Sequence, residues 1–254
     1  MVDHPYEDEE AGYLADGTRR YRQVADDVTS RMGEEDDEEI GTQGFAAAIA
    51  GYVGLRARER GLKPASTAPA GPDEFEWFDD YVRSSYDAGY EFARDALRAD
   101  GRTPSGGRMA QNSYHQRGLS KIHNRQRQKW TQLADDVTDE IQSALSSRVE
   151  SGASLQQARA QALDRIAKTG VDRAKRIATY EPAWAFTKGT VEEYRAAGVS
   201  NVEIDLSWET AGDARVCEVC LSRAGTYSVT EVDSMLESEN FPAHPYCRCL
   251  IVPS

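Results

Sequence analysis

The sequence predicts an α+β protein, with a mainly helical N-terminal and central region and a small β subdomain at the C-terminus. Two observations carry this prediction. Apolar residues recur at three- and four-residue spacing through most of residues 73–197, which is the pattern of amphipathic helices. After residue 200 this pattern gives way to alternating apolar and polar residues, beginning with V-E-I-D-L-S-W from Val202 to Trp208, which indicates a strand.

The N-terminal segment, residues 1–39, is predicted to be flexible or weakly ordered. Residues 1–40 carry 14 acidic residues against four arginines. Like-charge runs such as Glu34–Glu39 repel one another and bury little surface. Residues 40–60 are rich in alanine and have helical character, and residues 61–72 are predicted to be a linker because of their Pro and Gly content.

Four helices are predicted between residues 73 and 198. The expected spans are Asp73 to Gly101, 115–150, Ser154 to about Lys168, and 171–197, where Pro182 can kink or divide the last helix and Gly198 closes it. The apolar face of the first helix is expected to form core, and it consists of Phe75, Phe78, Val82, Tyr86, Tyr90, Ala93 and Leu97. Residues 101–113 are predicted to be a loop.

Two more short strands are predicted, at Thr226–Val229 and Cys249–Val252, with a short helix at residues 230–238. The chain is accordingly divided into an acidic segment at 1–39, a helical region at 40–150 and a C-terminal domain at 151–254.

All four cysteines lie between Cys217 and Cys249, and the pattern is typical of a zinc site. The first pair closes W-E-T-A-G-D-A-R-V-C-E-V-C, which begins at Trp208, and the second belongs to H-P-Y-C-R-C, which begins at His244. Five candidate ligands compete for four tetrahedral places: Cys217, Cys220, His244, Cys247 and Cys249. The preferred set leaves out Cys249, and the set of four cysteines is a close second.

Two other interpretations of these cysteines are open. Disulfides can form by cross-pairing between the two halves, although bonds within either short pair would be strained. A catalytic metal would need an open coordination position, and the H-x-E that precedes the cysteines of zinc deaminases is missing. We expect a closed, structural Zn²⁺ that ties the final segment to the strand around Trp208, and hence a zinc-bound β subdomain.

A basic block lies in an otherwise acidic chain, whose net charge is −13. Residues 101–134 contain seven basic residues and no acidic one. Four basic residues stack along one face of the helix predicted at 115–150: Arg117, Lys121, Arg125 and Lys129. Like charges at this spacing destabilise a helix by roughly a few tenths of a kcal/mol per pair, so we expect a protein or DNA partner. The acidic segment 1–39 is the intramolecular alternative.

The composition gives no sign of a membrane span and predicts an environment of high salt. No apolar run approaches the ~20 residues that span a bilayer, and residues 1–12 are acidic where a signal peptide would be basic. We therefore expect no membrane partner and synthesis in a cytoplasm. Of the 30 basic residues only six are lysine, and this scarcity beside abundant acids predicts a halophilic protein.

Residues 150–254 resemble the C-terminal domain of the phage Mu F-like minor head proteins, also called head morphogenesis proteins of tailed viruses. The resemblance rests on R-A-K-R-I-A-T-Y-E from Arg173, W-x₄-D-x-R-V-C-x₂-C from Trp208 and the closing H-P-x-C-R-C. One departure is visible, since the family commonly has Ile-Ala-Arg-Thr-Glu where this chain has Ile-Ala-Thr-Tyr-Glu, ending at Glu181. The first 150 residues carry no matching motif.

The resemblance implies a minor capsid protein located in the virion, near the portal vertex. Its partners would be the portal protein, the major capsid protein or packaged double-stranded DNA, during procapsid assembly and genome packaging or delivery. Such a role needs no catalytic residue. None is predicted, since the chain has no G-x-S-x-G, H-E-x-x-H or phosphate-binding glycine loop.

The alternative is a zinc-containing nucleic-acid-binding protein or nuclease that acts on viral DNA. In that case His115, His123 and the basic face would serve DNA, with Asp213 or His244 beside the metal. We expect instead that both histidines of the basic stretch are solvated and that Asp213 forms a turn in Ala-Gly-Asp.

Overall fold

The structure is a computed structural model that describes residues 7–34, 51–53, 55–60, 77–151, 155–198, 205–244 and 247–253. The predicted linker at 61–72, the predicted helix start at Asp73, Phe75 and the Ser154 cap lie outside the described residues. The predicted α+β class is confirmed, because helices dominate and one small sheet lies near the C-terminus. No helix in the described part of the chain is long and apolar enough to cross a membrane.

Within the described residues, short helical stretches lie at 51–53 and 55–59, and the longer α-helices are labelled in chain order. They are α1 (Glu7–Glu34), α2 (Asp79–Ala99), α3 (Ser113–Glu150), α4 (Leu155–Arg165), α5 (Val171–Ala196), α6 (Glu218–Arg223) and α7 (Val229–Glu237). A 3₁₀ turn at Met109–Gln111 precedes α3, and a π-helical turn at Ile166–Gly170 joins α4 to α5. The bounds of α2, α3, α5 and α7 agree with the predicted spans to within a few residues, apart from the earlier start predicted for the first.

The segment predicted to be weakly ordered is a long helix over most of its length. In α1 the side chains of Tyr13, Tyr21, Val24 and Val28 are buried. They recur every three or four residues, so one face of the helix is apolar although its other faces carry the acidic residues. The prediction considered the net charge of the segment and overlooked this periodicity; the flexibility of residues 1–39 stays a prediction.

Gly170 was predicted to separate two helices. In the structure it does not, and its lack of a side chain instead allows the close approach of another side chain. A Cβ atom at Gly170 would lie 1.9 Å from the ring of Tyr21, which is buried. Pro182 likewise lies inside α5 without ending it. Helix α5 ends at Ala196, and Gly198 follows with a φ of 75°, as expected of a glycine that closes a helix.

Helix α5 is buried on every side over the stretch from Glu181 to Tyr194. This stretch includes four charged residues, so the burial is not explained by an apolar stripe. Lys188 lies 2.6 Å from Glu192 and 2.7 Å from Asp233 of α7, and these carboxylates balance its charge. Glu193 binds hydrogen-bond donors of the loop before α3.

Three strands form an antiparallel sheet in the order β2-β1-β3. They are β1 (Asp205–Glu209), β2 (Gly225–Ser228) and β3 (Leu250–Pro253). Trp208 of β1 pairs with Gly225 on one side and Ile251 on the other, which places the predicted three strands in register. Trp208 is buried and its ring contacts Phe241 edge-on at 5.0 Å between centroids.

The chain forms two compact units, each drawn from separate stretches. One comprises Met1–Tyr13, Pro72–Asn124 and Ala178–Ser254, and the other Leu14–Gly71 and Arg125–Ile177. The first unit contains the sheet and the apolar face of α2, and the second contains Trp130 and Leu133 of α3. The continuous domains predicted at 1–39, 40–150 and 151–254 stay a prediction.

Candidate metal centre

The first half of the centre is the turn into α6. Strand β1 ends at Glu209, and an irregular loop leads to Cys217, which has extended backbone and caps the N-terminus of the helix. The Cys217 sulfur accepts a hydrogen bond from the Cys220 backbone N–H at 3.4 Å. Both sulfurs therefore lie at the same end of this short helix, as two metal ligands of a C-x₂-C knuckle must.

The second half is the segment that leads into β3. The Cys247 N–H donates to the His244 carbonyl at 3.1 Å, and Cys249 directly precedes the strand at Leu250. The Tyr180 hydroxyl of α5 donates to the Pro242 carbonyl at 2.7 Å. This bond restrains the backbone that precedes His244. Leu250, the first residue of β3, pairs with Glu209, the last residue of β1. The sheet therefore brings the two halves of the centre to the same end of these strands.

Five predicted ligands meet in two clusters that share Cys220. His244 Nε2 lies 3.1 Å from the Cys217 sulfur and 3.0 Å from the Cys220 sulfur. The Cys220 and Cys247 sulfurs are 3.7 Å apart, and Cys249 belongs to the same cluster. Ligand atoms within each cluster lie within 4.8 Å of one another, a separation that one tetrahedral ion can bridge. All four cysteines are free thiols, so the alternative of disulfides is not realised.

The thiols differ in acidity. Hydrogen bonds from the Cys220 backbone lower the pKa of Cys217, and a hydrogen bond from the Cys249 thiol lowers the pKa of Cys247. Burial raises the pKa of Cys220 to about 12. Thiolates are the form that binds metal, and a bound cation would favour this form at every sulfur. The donor set of thiolates and one imidazole therefore fits a soft or borderline divalent ion.

Asp213 forms the predicted turn in the loop between β1 and α6. Its Oδ1 accepts the Arg215 N–H at 2.9 Å, and its carbonyl accepts the Val216 N–H at 3.2 Å. The carboxylate also pairs with Arg248, whose guanidinium is the largest cause of the lowered pKa of Asp213. A carboxylate that already accepts these bonds is poorly suited to act as a general base.

Comparison with known families gives a match to the C-terminal part of the chain. Residues 139–252 match the model of the family described as Phage Mu protein F like protein. The C-terminal part of the chain is therefore similar to this family over that range. No curated protein and no solved structure matches the chain significantly. This match confirms the resemblance seen in the sequence, and the matched range includes all five predicted ligands.

His115 and His123, which were predicted to be solvated, are covered in the structure. His115 is fully buried, with Nδ1 2.8 Å from the Tyr86 hydroxyl and Nε2 3.0 Å from Glu193. The Nδ1 atom of His123 lies 2.7 Å from Asp79, and its side chain is largely covered. The prediction was wrong because it judged the histidines by their basic neighbours in sequence. On a helix, the residues one position away point in other directions.

The predicted basic face has partners within the chain. Lys121 bonds to Glu237 of α7, and the Arg117 guanidinium lies 4.9 Å from the centroid of the Tyr114 ring. Arg125 and Lys129 also have interaction partners. An acid that is distant in sequence therefore offsets part of the predicted repulsion. A contact of this face with portal or DNA stays a prediction.

Sequence reasoning missed α6 and the pairing of Asp213 with Arg248. The C-x₂-C spacing already contained a signal for α6, since a cysteine that caps a helix offers its sulfur to the backbone three residues later. The signal for the ion pair was weaker. It consisted of one arginine placed between two ligands.

Proposed function

We propose that this protein is a minor capsid protein of a tailed virus that takes part in head morphogenesis. The observation that carries the proposal is the family match over residues 139–252, which includes both halves of the metal centre. In this role the protein binds at or near the portal during procapsid assembly, and it assists genome packaging or delivery.

The location can be tested in the virus itself. Purified particles should contain the protein, and cryo-electron microscopy should find its density at the portal vertex. A virus that lacks the gene should produce defective or empty heads, and complementation should restore them. Normal, fully infectious particles without the protein would contradict the proposal.

The basic face of α3 is proposed to contact portal subunits, with packaged DNA as the second candidate. The double variant Lys121→Glu/Arg125→Glu should fold but drop out of particles. Arg98→Glu is a matched control, because Arg98 is an exposed arginine on α2 whose ion pair with Asp95 is local. Unchanged incorporation of the double variant together with a lower melting temperature would show that the face serves only the fold of the chain.

We also propose that the centre holds one structural Zn²⁺. Thiolate and imidazole donors at tetrahedral spacing favour zinc, and His244 Nε2 contacts both sulfurs of the first pair. The preferred set is Cys217, Cys220, His244 and Cys247. Bound there, the ion supplies folding free energy to the small subdomain.

Metal content checks the ligand set. Elemental analysis of protein purified without chelator should give one zinc per chain, and Cys217→Ser should remove it. His244→Ala should lose zinc and Cys249→Ser should keep it if the preferred set binds. The reverse pattern would select the four cysteines, and a wild-type protein free of metal would reject the site.

We propose that the protein has no enzymatic activity. The carboxylate beside the metal centre, Asp213, is bonded to arginine and turn donors rather than positioned as a base. Incubation of the purified protein with plasmid DNA and Mg²⁺ should leave the DNA intact. Cleavage that Asp213→Ala abolishes without unfolding the protein would favour a nuclease instead.

A further inference from the structure

We propose that Asp213 and Arg248 act as a clamp that holds the two halves of the metal centre in binding geometry. The clamp is defined by these two residues and rests on the zinc site proposed above. Neither residue is a ligand, so both are positioning residues that act through the cysteines beside them.

The clamp joins the two ligand-bearing segments directly. Arg248 Nη1 donates to Asp213 Oδ2 at 2.7 Å, and Nη2 donates to Oδ1 at 2.7 Å. Arg248 lies between Cys247 and Cys249, and Asp213 lies four residues before Cys217. A two-point bond between planar groups fixes orientation as well as distance, so it fixes one segment against the other.

Asp213 is itself held in place within its loop. The Arg215 N–H donates to its Oδ1 at 2.9 Å, and the Val216 N–H donates to its carbonyl at 3.2 Å. This turn restrains the position of the carboxylate in the loop that leads into α6. Movement of the Arg248 side chain is therefore coupled to the position of the Cys217 sulfur.

The sheet alone does not supply this constraint. Pairing of β1 with β3 ends at Glu209 and Leu250, so the loop from 210 to 216 and the segment from Cys247 to Cys249 lie outside the ladder. Both segments are irregular in backbone. The clamp spans them at the point where regular hydrogen bonding stops.

Affinity for the ion should depend on the clamp because loose ligands must be ordered on binding. A preorganised site avoids that entropy cost. Loss of a partner that bonds directly to a metal ligand typically weakens metal affinity about 10- to 100-fold, and we expect the lower end of this range for a pair that adjoins the ligands in sequence. The clamp thus accounts for two residues of the sequence motif, Asp213 and Arg248, that the ligand set leaves unexplained.

A double-mutant cycle on the full chain tests the clamp. The variants are Arg248→Met, Asp213→Asn and the two combined, with Arg248→Lys as the conservative change. Arg215→Ala is the matched control, since its guanidinium also approaches Asp213, at 3.2 Å, but stays within the same loop. Zinc affinity is measured by competition with a chromogenic chelator, and the visible absorption of the Co²⁺ form reports ligand geometry.

Each single variant should bind Zn²⁺ about tenfold more weakly, and the combined variant should be no weaker than either one. Arg248→Lys should recover part of the affinity, and the control should stay within about twofold of wild type. Additive losses, or affinities equal to wild type, would overturn the clamp. If the wild-type protein itself binds no metal, the zinc proposal fails first, which separates the two outcomes.

Discussion

Glu193 shows how a single charged residue is tolerated when it is fully buried. Its side chain is fully buried, and its carboxylate accepts bonds from the Ser105 N–H at 2.8 Å, the Ser105 hydroxyl at 2.6 Å and His115 Nε2 at 3.0 Å. If His115 Nε2 carries the proton, its Nδ1 accepts a hydrogen bond from the Tyr86 hydroxyl. Every side chain of this hydrogen-bond network then has a partner. Burial would raise the pKa of Glu193, but these bonds and the charge of Arg94 outweigh it and lower the pKa.

We predict that Glu193→Gln lowers the free energy of unfolding by about 2 kcal/mol at neutral pH, because the buried network loses its charge-assisted bonds. A carboxylate with a lowered folded pKa stabilises the protein above its unfolded pKa and loses that effect as pH falls through the folded value. The difference between wild type and variant should therefore shrink below about pH 4. Denaturant unfolding at several pH values measures it.

Glu91→Gln provides the control for this change. Glu91 is 62% exposed and lies 4.0 Å from the same Arg94. Its loss should change stability by less than about 0.5 kcal/mol at any pH. A difference for Glu193→Gln that stays constant from pH 7 to pH 3 would refute the electrostatic explanation.

At the residue scale the sequence predicted which cysteines and histidine lie together, but it did not predict the buried charges. Cys217, Cys220, His244 and Cys247 could be recognised because metal chemistry demands particular residue types at short spacing. His115 and Glu193 are 78 residues apart in sequence. Their pairing depends on how two helices pack, and no local pattern contains that information.

At the scale of elements, α2 and α5 approach so closely that only glycine fits at the contact. A Cβ atom at Gly89 would lie 1.9 Å from the Phe186 carbonyl oxygen, and one at Gly189 would lie 2.2 Å from the Tyr86 carbonyl oxygen. The Thr190 hydroxyl donates to the Gly89 carbonyl at 3.2 Å. The obstacles are backbone atoms, which cannot rotate aside.

We predict that Gly89→Ala destabilises the protein by about 3 kcal/mol or more, since the two helices must separate to admit a methyl group. Gly51→Ala is the control, because nothing lies within 4 Å of the corresponding Cβ and the residue is helical. That change should be neutral or stabilise by up to about 1 kcal/mol. Thermal unfolding of both variants gives the comparison, and equal melting temperatures would show that the contact relaxes easily.

Periodicity predicted the helices with a clear apolar face and missed the features that depend on packing. The apolar face of α2 from Val82 to Leu97, and Phe78 just before the helix, are confirmed by burial. For α5 the small and polar residues around Lys188 form no apolar stripe in the sequence. A helix segment enclosed on all sides has no solvent face and therefore need not be amphipathic. The glycines of α2 and α5 were likewise visible in the sequence without a sign of which helix they would meet.

At the scale of the whole molecule, the metal centre belongs to one of the two compact units. All five predicted ligands lie in the stretch Ala178–Ser254. We predict that a strong chelator will speed amide hydrogen exchange in the loop after β1, in α6 and in β3. Exchange in the unit formed by Leu14–Gly71 and Arg125–Ile177 should change little.

Hydrogen exchange measured by mass spectrometry, with and without added Zn²⁺, provides the readout. Cys217→Ser treated in the same way is the control, because its exchange should resemble that of the chelated protein and should not respond to zinc. Uniform loss of protection along the chain would contradict local stabilisation by the metal.

The complete burial of the stretch of α5 from Glu181 to Tyr194 fixes the number of residues within it. Each residue of an α-helix advances the direction of its side chains by about 100°, since a turn contains 3.6 residues. One inserted residue would therefore rotate Lys188 away from Asp233, or Glu193 away from Ser105. A helix on the surface can accommodate such a rotation because one of its sides faces solvent. The stretch from Glu181 to Tyr194 is buried on every side and cannot. Homologous chains should thus differ in length at their loops and keep this stretch free of insertions and deletions.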